Sequence, residues 1–154
     1  MMIVKNVMTT DVRTCRPDTN LAEVAKTMWD ADCGVVPILD GERSLVGVIT
    51  DRDICIAAAT RSTSPANIRT EEVTSGTVFT CRQDDDVRNA LQIMRDRRVR
   101  RLPVLDDRER LVGIVSLSDL VAETACRRAA DVPGDEFLET LKSICAHSQA
   151  PVTA

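Results

Sequence analysis

Gly47-Val48-Ile49-Thr50-Asp51-Arg52-Asp53 and Gly113-Ile114-Val115-Ser116-Leu117-Ser118-Asp119 are one seven-residue pattern written twice, 66 positions apart. Each runs from glycine through two apolar residues to a hydroxyl, then after two variable positions reaches an aspartate. An apolar run that ends in Thr/Ser-x-x-Asp predicts a strand passing into a capped helix. Carried outward at the same offset, residues 7–54 align with 73–120 without a gap. Of these 48 pairs 15 are identical, among them Cys15/Cys81, Met28/Met94, Pro37/Pro103, Asp40/Asp106 and Gly47/Gly113, where chance gives roughly three. The chain is an internal duplication.

Each copy has the same order. A short β-like stretch (residues 12–15, 78–81) leads to a helix. In the first helix Leu21, Ala25, Met28 and Trp29 keep helical spacing, and in the second Val87, Ala90, Leu91 and Met94 do. Two β-rich runs follow, split by the charged turns Asp40–Arg43 and Asp106–Glu109: residues 35–39 then 45–49, and 102–105 then 111–115. A second helix closes each copy, at 51–59 and 117–127. The order β-α-β-β-α, twice, predicts an α/β fold of two tandem repeats packed into one module. The expected domains are 4–59, a polar linker 60–72 carrying Pro65, 73–127, and an extension 128–154. After a break at Asp131-Val132-Pro133-Gly134, residues 136–145 place Phe137, Leu138, Leu141, Ile144 and Cys145 on one helical face. Residues 148–154 are expected to fray.

Composition narrows the function. The 154 residues are 44% hydrophobic, which excludes disorder as the main state. Twenty basic against 24 acidic residues, with three aromatics (Trp29, Phe79, Phe137), argue against a nucleic-acid partner. No apolar run is long enough to span a membrane, and the apolar start ends at Lys5, too short for a signal peptide, so a cytoplasmic protein is expected. Six cysteines (15, 33, 55, 81, 126, 145) form no C-x-x-C pair, and His147 is the single histidine. No metal site is therefore expected, and the cysteines read as reduced thiols. No nucleophile, base and orienting group come together, so no catalysis is expected.

Five fragments, with the 66-residue period, resemble a tandem cystathionine-β-synthase (CBS) domain pair, or Bateman module. They are Val7-Met8-Thr9, Gly34-Val35-Val36-Pro37-Ile38, Arg100-Arg101-Leu102-Pro103-Val104 and the two copies of the closing motif. The chain, with its Lys142-Ser143-Ile144-Cys145 tail, further resembles small stand-alone bacterial proteins of the hypoxic-response-protein type. The resemblance implies a regulatory binding module without catalysis that takes AMP, or ADP, ATP, NAD or S-adenosylmethionine, in two clefts, and works as a homodimer. It implies no other cofactor, and any output must pass to a separate effector protein. It also implies the site residues. One cleft combines Ser116 and Asp119 with Thr10, Asp11, Val12, Gly34, Val35 and Pro37. The other combines Thr50 and Asp53 with Gly76, Thr77, Val78, Val99, Arg100 and Pro103.

Two readings of the motif stay open on chemistry alone. Thr50-x-x-Asp53 and Ser116-x-x-Asp119 can be capping boxes. The same geometry can place a phosphate at a helix N-terminus and a ribose diol on the carboxylate. Gly47 and Gly113 can mark a bulge or a close approach by another group. The run Arg95-Asp96-Arg97-Arg98-Val99-Arg100-Arg101 has no counterpart in the first repeat. Arg95, Arg97 and Arg98 read as a helix end; Arg100 and Arg101, by the resemblance, meet ligand phosphates, and the Asp53 cleft is expected to hold phosphorylated ligand more tightly. Two other functions compete with the nucleotide sensor. One is a nucleotide-independent dimeric scaffold; the other is a thiol redox sensor using Cys15, Cys81 or Cys145.

Overall fold

A computed structural model describes residues 2–74, 77–127 and 133–146, with 124–127 described by backbone alone. The sequence-based expectations for Gly76, for the break at 131–132 and for the tail 148–154 lie outside the described residues, as do His147 and the Cys126 side chain. The chain forms two compact units that do not coincide with the sequence repeats. One comprises Asp11–Val78 with Asp106–Val112; the other comprises the residues up to Thr10, Phe79–Leu105, and those from Gly113 onward.

The first unit holds α1 (Leu21–Asp30), β1 (Val35–Leu39), β2 (Leu45–Thr50) and α2 (Asp51–Thr60). Asn20 caps α1 by accepting the Glu23 N–H at 3.0 Å. Strands β1 and β2 pair antiparallel, from Val35↔Thr50 to Ile38↔Gly47. Leu21, Val24 and Met28 bury one face of α1 against Val36, Ile38, Ile49, Ala57 and Ile68. Ala25 and Trp29, expected to share that face, are exposed, Trp29 at 87%. At about 100° per residue the Leu21–Val24–Met28 stripe fixes which side is inward, and Trp29 falls to its flank.

The second unit holds β3 (Cys81–Arg82), α3 (Val87–Arg97), β4 (Arg101–Leu105), β5 (Leu111–Ser116) from Gly113 onward, α4 (Leu117–Arg127) and α5 (Gly134–Cys145). Its sheet order is β3-β4-β5, with β3 parallel to β4. All four apolar positions expected on α3 are buried. Asp86 caps this helix through the Arg88 N–H at 2.8 Å, and Arg98 ends it with φ 54°. Helix α5 rests on α3 through Thr140, which is buried, and Ser143, whose hydroxyl donates to the Arg95 carbonyl at 2.8 Å. The expected apolar face of α5 is turned elsewhere: Leu138 and Leu141 are about half exposed.

The leading β-like stretches are shorter than expected. Of residues 12–15 only Cys15 is bridged, parallel to Ile38, and of 78–81 only Cys81 pairs, with Val104. Proline explains both. The Cys15 N–H donates to the Pro37 carbonyl and the Leu39 N–H to Cys15. The next rung upstream would need an N–H from Pro37, and Pro37 has none; Pro103 ends the ladder at Cys81 the same way.

The segments before each repeat are exchanged. Leu21 N–H donates to Ile68 O at 3.0 Å and Thr70 N–H to Thr19 O at 2.9 Å; at the same 66-residue offset, Val87 N–H donates to Met2 O and Val4 N–H to Asp85 O, both at 2.9 Å. Each repeat's pre-helix turn is thus closed by the segment that leads into the other repeat. The expected linker 60–72 therefore carries structure. It contains 3-10 turns at Pro65–Asn67 and Thr70–Glu72, and Ile68 and Thr70 are fully buried. Replacing Ile68 with Ala is expected to destabilise the protein by about 2–4 kcal/mol in urea titration. A change near zero would restore the passive-linker reading.

Candidate ligand site

The two closing motifs have the same internal geometry. Thr50 Oγ1 accepts the Asp53 N–H at 3.2 Å, while Asp53 Oδ2 accepts the Thr50 N–H at 2.9 Å and the Thr50 hydroxyl at 2.7 Å. In the second repeat Ser116 Oγ accepts the Asp119 N–H at 3.1 Å. Asp119 Oδ2 accepts the Ser116 N–H at 2.9 Å and its hydroxyl at 2.7 Å. The capping box is therefore present in both copies. Each hydroxyl has spent its proton on the carboxylate. Each Oδ2 is doubly used, and among the described residues neither Oδ1 accepts a hydrogen bond. Both aspartates are partly buried, in the first turn of α2 and of α4. One fixed carboxylate oxygen per motif is thus left for a hydrogen-bond donor.

The helix starts beside these caps differ. At α2 all three first-turn N–H groups are taken: Asp51 by the Gly34 carbonyl at 3.3 Å, Arg52 by Asp51 Oδ1 at 2.8 Å, and Asp53 by Thr50. At α4 the Leu117 N–H goes to the Arg100 carbonyl at 2.9 Å and Asp119 to Ser116, while Ser118 N–H has no acceptor among the described residues. Leu117 stands where Asp51 stood, so this helix start lacks the extra carboxylate. It favours an anion more than α2 does.

The structure brings Gly34, Val35, Thr50 and Asp53 together in one unit, through the Gly34–Asp51 bond and the Val35↔Thr50 pair. It brings Arg100, Ser116 and Asp119 together in the other. Arg100 and Arg101 are exposed, and among the described residues their side chains make no hydrogen bond or ion pair. Arg97 instead lies over the Phe79 ring at 4.8 Å, and the Arg95 side chain is held by Gln92. Pro37 and Pro103 are buried mid-strand. Thr77 is exposed, and Val78 and Val99 are half-buried, each in a loop. Thr10 directly follows Thr9, which pairs with Ile114 by two bonds of 2.9 Å, so the chain enters Thr10 beside the strand that ends at Ser116. Asp11 is exposed and Val12 half-buried, both without regular structure.

The two glycines resolve differently. Ile38 faces Gly47 but Leu39 faces Leu45, so Val46 is bulged beside Gly47. A Cβ on Gly47 would meet only the flexible end of Ile38, at 3.0 Å. On Gly113 it would come within 2.7 Å of Met8 Sδ and 2.9 Å of the Thr9 carbonyl. Gly113 therefore lets the N-terminal segment cross β5. Gly113→Ala is expected to destabilise by about 1–3 kcal/mol and Gly47→Ala by less than half of that, measured by thermal unfolding. Equal losses would contradict this assignment.

Burial pushes the Cys15 thiol up to about 11 and the Cys81 thiol to about 12, in the latter case helped by the Asp85 charge. At neutral pH both stay protonated and poorly nucleophilic. Cys55 and Cys145 are exposed. Among the described residues no three His, Cys, Asp or Glu side chains form a metal-binding group, and no helix is long and apolar enough to cross a membrane.

Comparison with known proteins defines the class. The CBS domain model matches residues 4–59 and 71–125, and the chain belongs to this family. A relative from Methanopyrus kandleri, the uncharacterized protein MK0525, is 32% identical over 118 residues; the match covers 77% of this chain and 60% of that one. Thus the chain spans less than two thirds of that relative's length. The CBS domain pair of protein MJ0100, solved with 5-methylthioadenosine and S-adenosyl-L-methionine, superimposes with a TM-score of 0.74 at 28% identity, over 82% of this chain and 98% of that one. Hypoxic Response Protein I, solved with two coordinated zinc ions, superimposes with a TM-score of 0.71 at 27% identity, over 79% of this chain and 98% of that one. The tandem CBS-pair fold with a C-terminal helix, and the likeness to the hypoxic-response protein, are both as the sequence led one to expect.

Proposed function

We propose that this chain is a regulatory module that binds an adenosine-containing nucleotide, with AMP as the preferred ligand, and acts without catalysis. The observation that carries the reading is the pair of aspartates, each held by its own cap with Oδ1 open. A carboxylate oxygen fixed in the first turn of a helix suits a ribose hydroxyl, whose vicinal pair it can accept. Adenosine derivatives bound to the related MJ0100 domain pair support the ligand class. In this reading Thr10, Asp11, Val12, Gly34, Val35 and Pro37 line the adenine of one cleft, and Thr77, Val78, Val99 and Pro103 that of the other.

The phosphate is assigned to the second repeat. The sequence-based expectation gave it to the Asp53 copy; the bonds above favour the Asp119 copy. There Arg100 and Arg101 are uncommitted and Ser118 N–H is open, whereas at α2 the Asp51 carboxylate already occupies a helix-start N–H. Guanidinium groups suit phosphate oxygens through paired, charge-assisted bonds. The module acts as a cytoplasmic homodimer, and its signal passes to a separate protein through a change of shape or surface.

Calorimetry with AMP and adenosine tests the site. Asp119→Ala is expected to weaken AMP by about ten- to a hundred-fold, or roughly 1.5–3 kcal/mol. Arg101→Ala should lose most of the preference for AMP over adenosine, and Asp53→Ala should weaken both ligands alike at the other copy. Unchanged AMP affinity in all three variants, or none in the wild type, would leave the caps purely structural and favour the scaffold.

A further inference from the structure

At the corner between its first helix and the strand that follows, each copy has the same backbone and a different charge. Asp32 and Arg98 occupy matching positions, and both are left-handed, with φ 48° and 54°. The residues after them, Cys33 and Val99, donate their N–H groups to the Met28 and Met94 carbonyls, each at 3.0 Å. The corner then meets the closing helix of its own repeat. The Gly34 carbonyl accepts the Asp51 N–H in one copy, and the Arg100 carbonyl accepts the Leu117 N–H in the other. Each corner therefore stands, inside its own unit, at the helix start that carries Asp53 or Asp119.

Around this shared backbone the side chains reverse sign. The first copy sets Asp32, Asp51 and Asp53 against Arg52, a formal charge of −2; the second sets Arg98, Arg100 and Arg101 against Asp119, a formal charge of +2. All of them except the two cap aspartates are exposed. A left-handed position suits aspartate and not arginine, so the backbone does not account for Arg98. A ribose held by its 2′ and 3′ hydroxyls leaves its 5′ substituent to meet the charges at that helix start. Opposite local fields favour opposite 5′ charges and penalise the wrong one.

We propose that the two copies take different adenosine derivatives. The Asp119 copy takes a 5′-phosphate, and the Asp53 copy takes a derivative without phosphate, whose 5′ substituent is uncharged or cationic. Asp32 and Asp51 are then the specificity-determining residues of the first copy, and Arg98 joins Arg100 and Arg101 in that role in the second. One chain thereby reads two ligands, not two molecules of one ligand. The inference rests on the nucleotide-binding reading above and adds to it the ligand class of the first copy.

Calorimetry of the full chain with AMP and with 5′-amino-5′-deoxyadenosine, whose amine is protonated at neutral pH, tests the sorting. The expected result is a single strong site per chain for each compound, and protein saturated with AMP still takes up the amine. Asp53→Asn, which keeps an acceptor for the Thr50 N–H, should cost the amine more than AMP, and Asp119→Asn the reverse. Replacing Asp32 and Asp51 together by Asn should reduce the preference of the first copy for the amine by roughly five- to tenfold, with circular dichroism unchanged. Added salt should shrink the same preference in the wild type, because the charges are exposed. An unchanged preference in the folded double variant overturns the role given to Asp32 and Asp51. AMP that fills both copies equally, or displaces the amine, overturns the sorting and leaves the nucleotide-binding reading intact. Binding of neither compound overturns both.

Discussion

The reciprocal bond between a strand-ending hydroxyl and an aspartate three residues on is the constraint from which the site is built. It stops β2 and β5, starts α2 and α4, and locks one oxygen of Asp53 and of Asp119 in place. A carboxylate fixed by its own backbone pays little ordering entropy when a ligand arrives. In the proposed function the cap and the binding role are one arrangement: Oδ2 serves the fold and Oδ1 remains available. Because the hydroxyl protons are spent inside the cap, the aspartates and not Thr50 or Ser116 are the groups that can receive a ribose.

The duplication then separates the two copies by small substitutions. Asp51 against Leu117 changes the charge at a helix start, and Gly34-Val35 against Arg100-Arg101 changes what opens the neighbouring strand. Trp29 against Arg95 changes the outer surface of the first helix. Near-identical backbone bonds at the 66-residue offset show that these differences leave the fold alone. They alter what each copy presents to a ligand or a partner.

Much of this was legible in the sequence because the patterns concerned are local. The spacing of Val87, Ala90, Leu91 and Met94 located α3, and residues 35–39 were read as β1 with the bounds observed. The motif itself located both caps. What failed depended on partners distant in sequence. Residues 12–15 and 78–81 look like strands, but Pro37 and Pro103, on another strand, remove the rung that would extend them. Ile68 sits in a polar stretch, and only the exchanged packing onto the turn before α1 shows why it is buried. The apolar faces of α1 and α5 could be found by periodicity, yet which flank meets the core is decided by Met28 and Thr140. The phosphate assignment proposed above likewise turns on the Asp51 carboxylate accepting the Arg52 N–H at its own helix start, which spacing does not reveal.

The central claim is that Asp53 and Asp119 receive ribose hydroxyls while serving as cap residues. Comparing AMP with 2′,3′-dideoxy-AMP on the unmutated protein, by calorimetry, addresses this without disturbing either cap. The account predicts that loss of the two hydroxyls weakens binding by about tenfold or more, since each aspartate loses its charge-assisted partners. Equal affinity for the two nucleotides would contradict it.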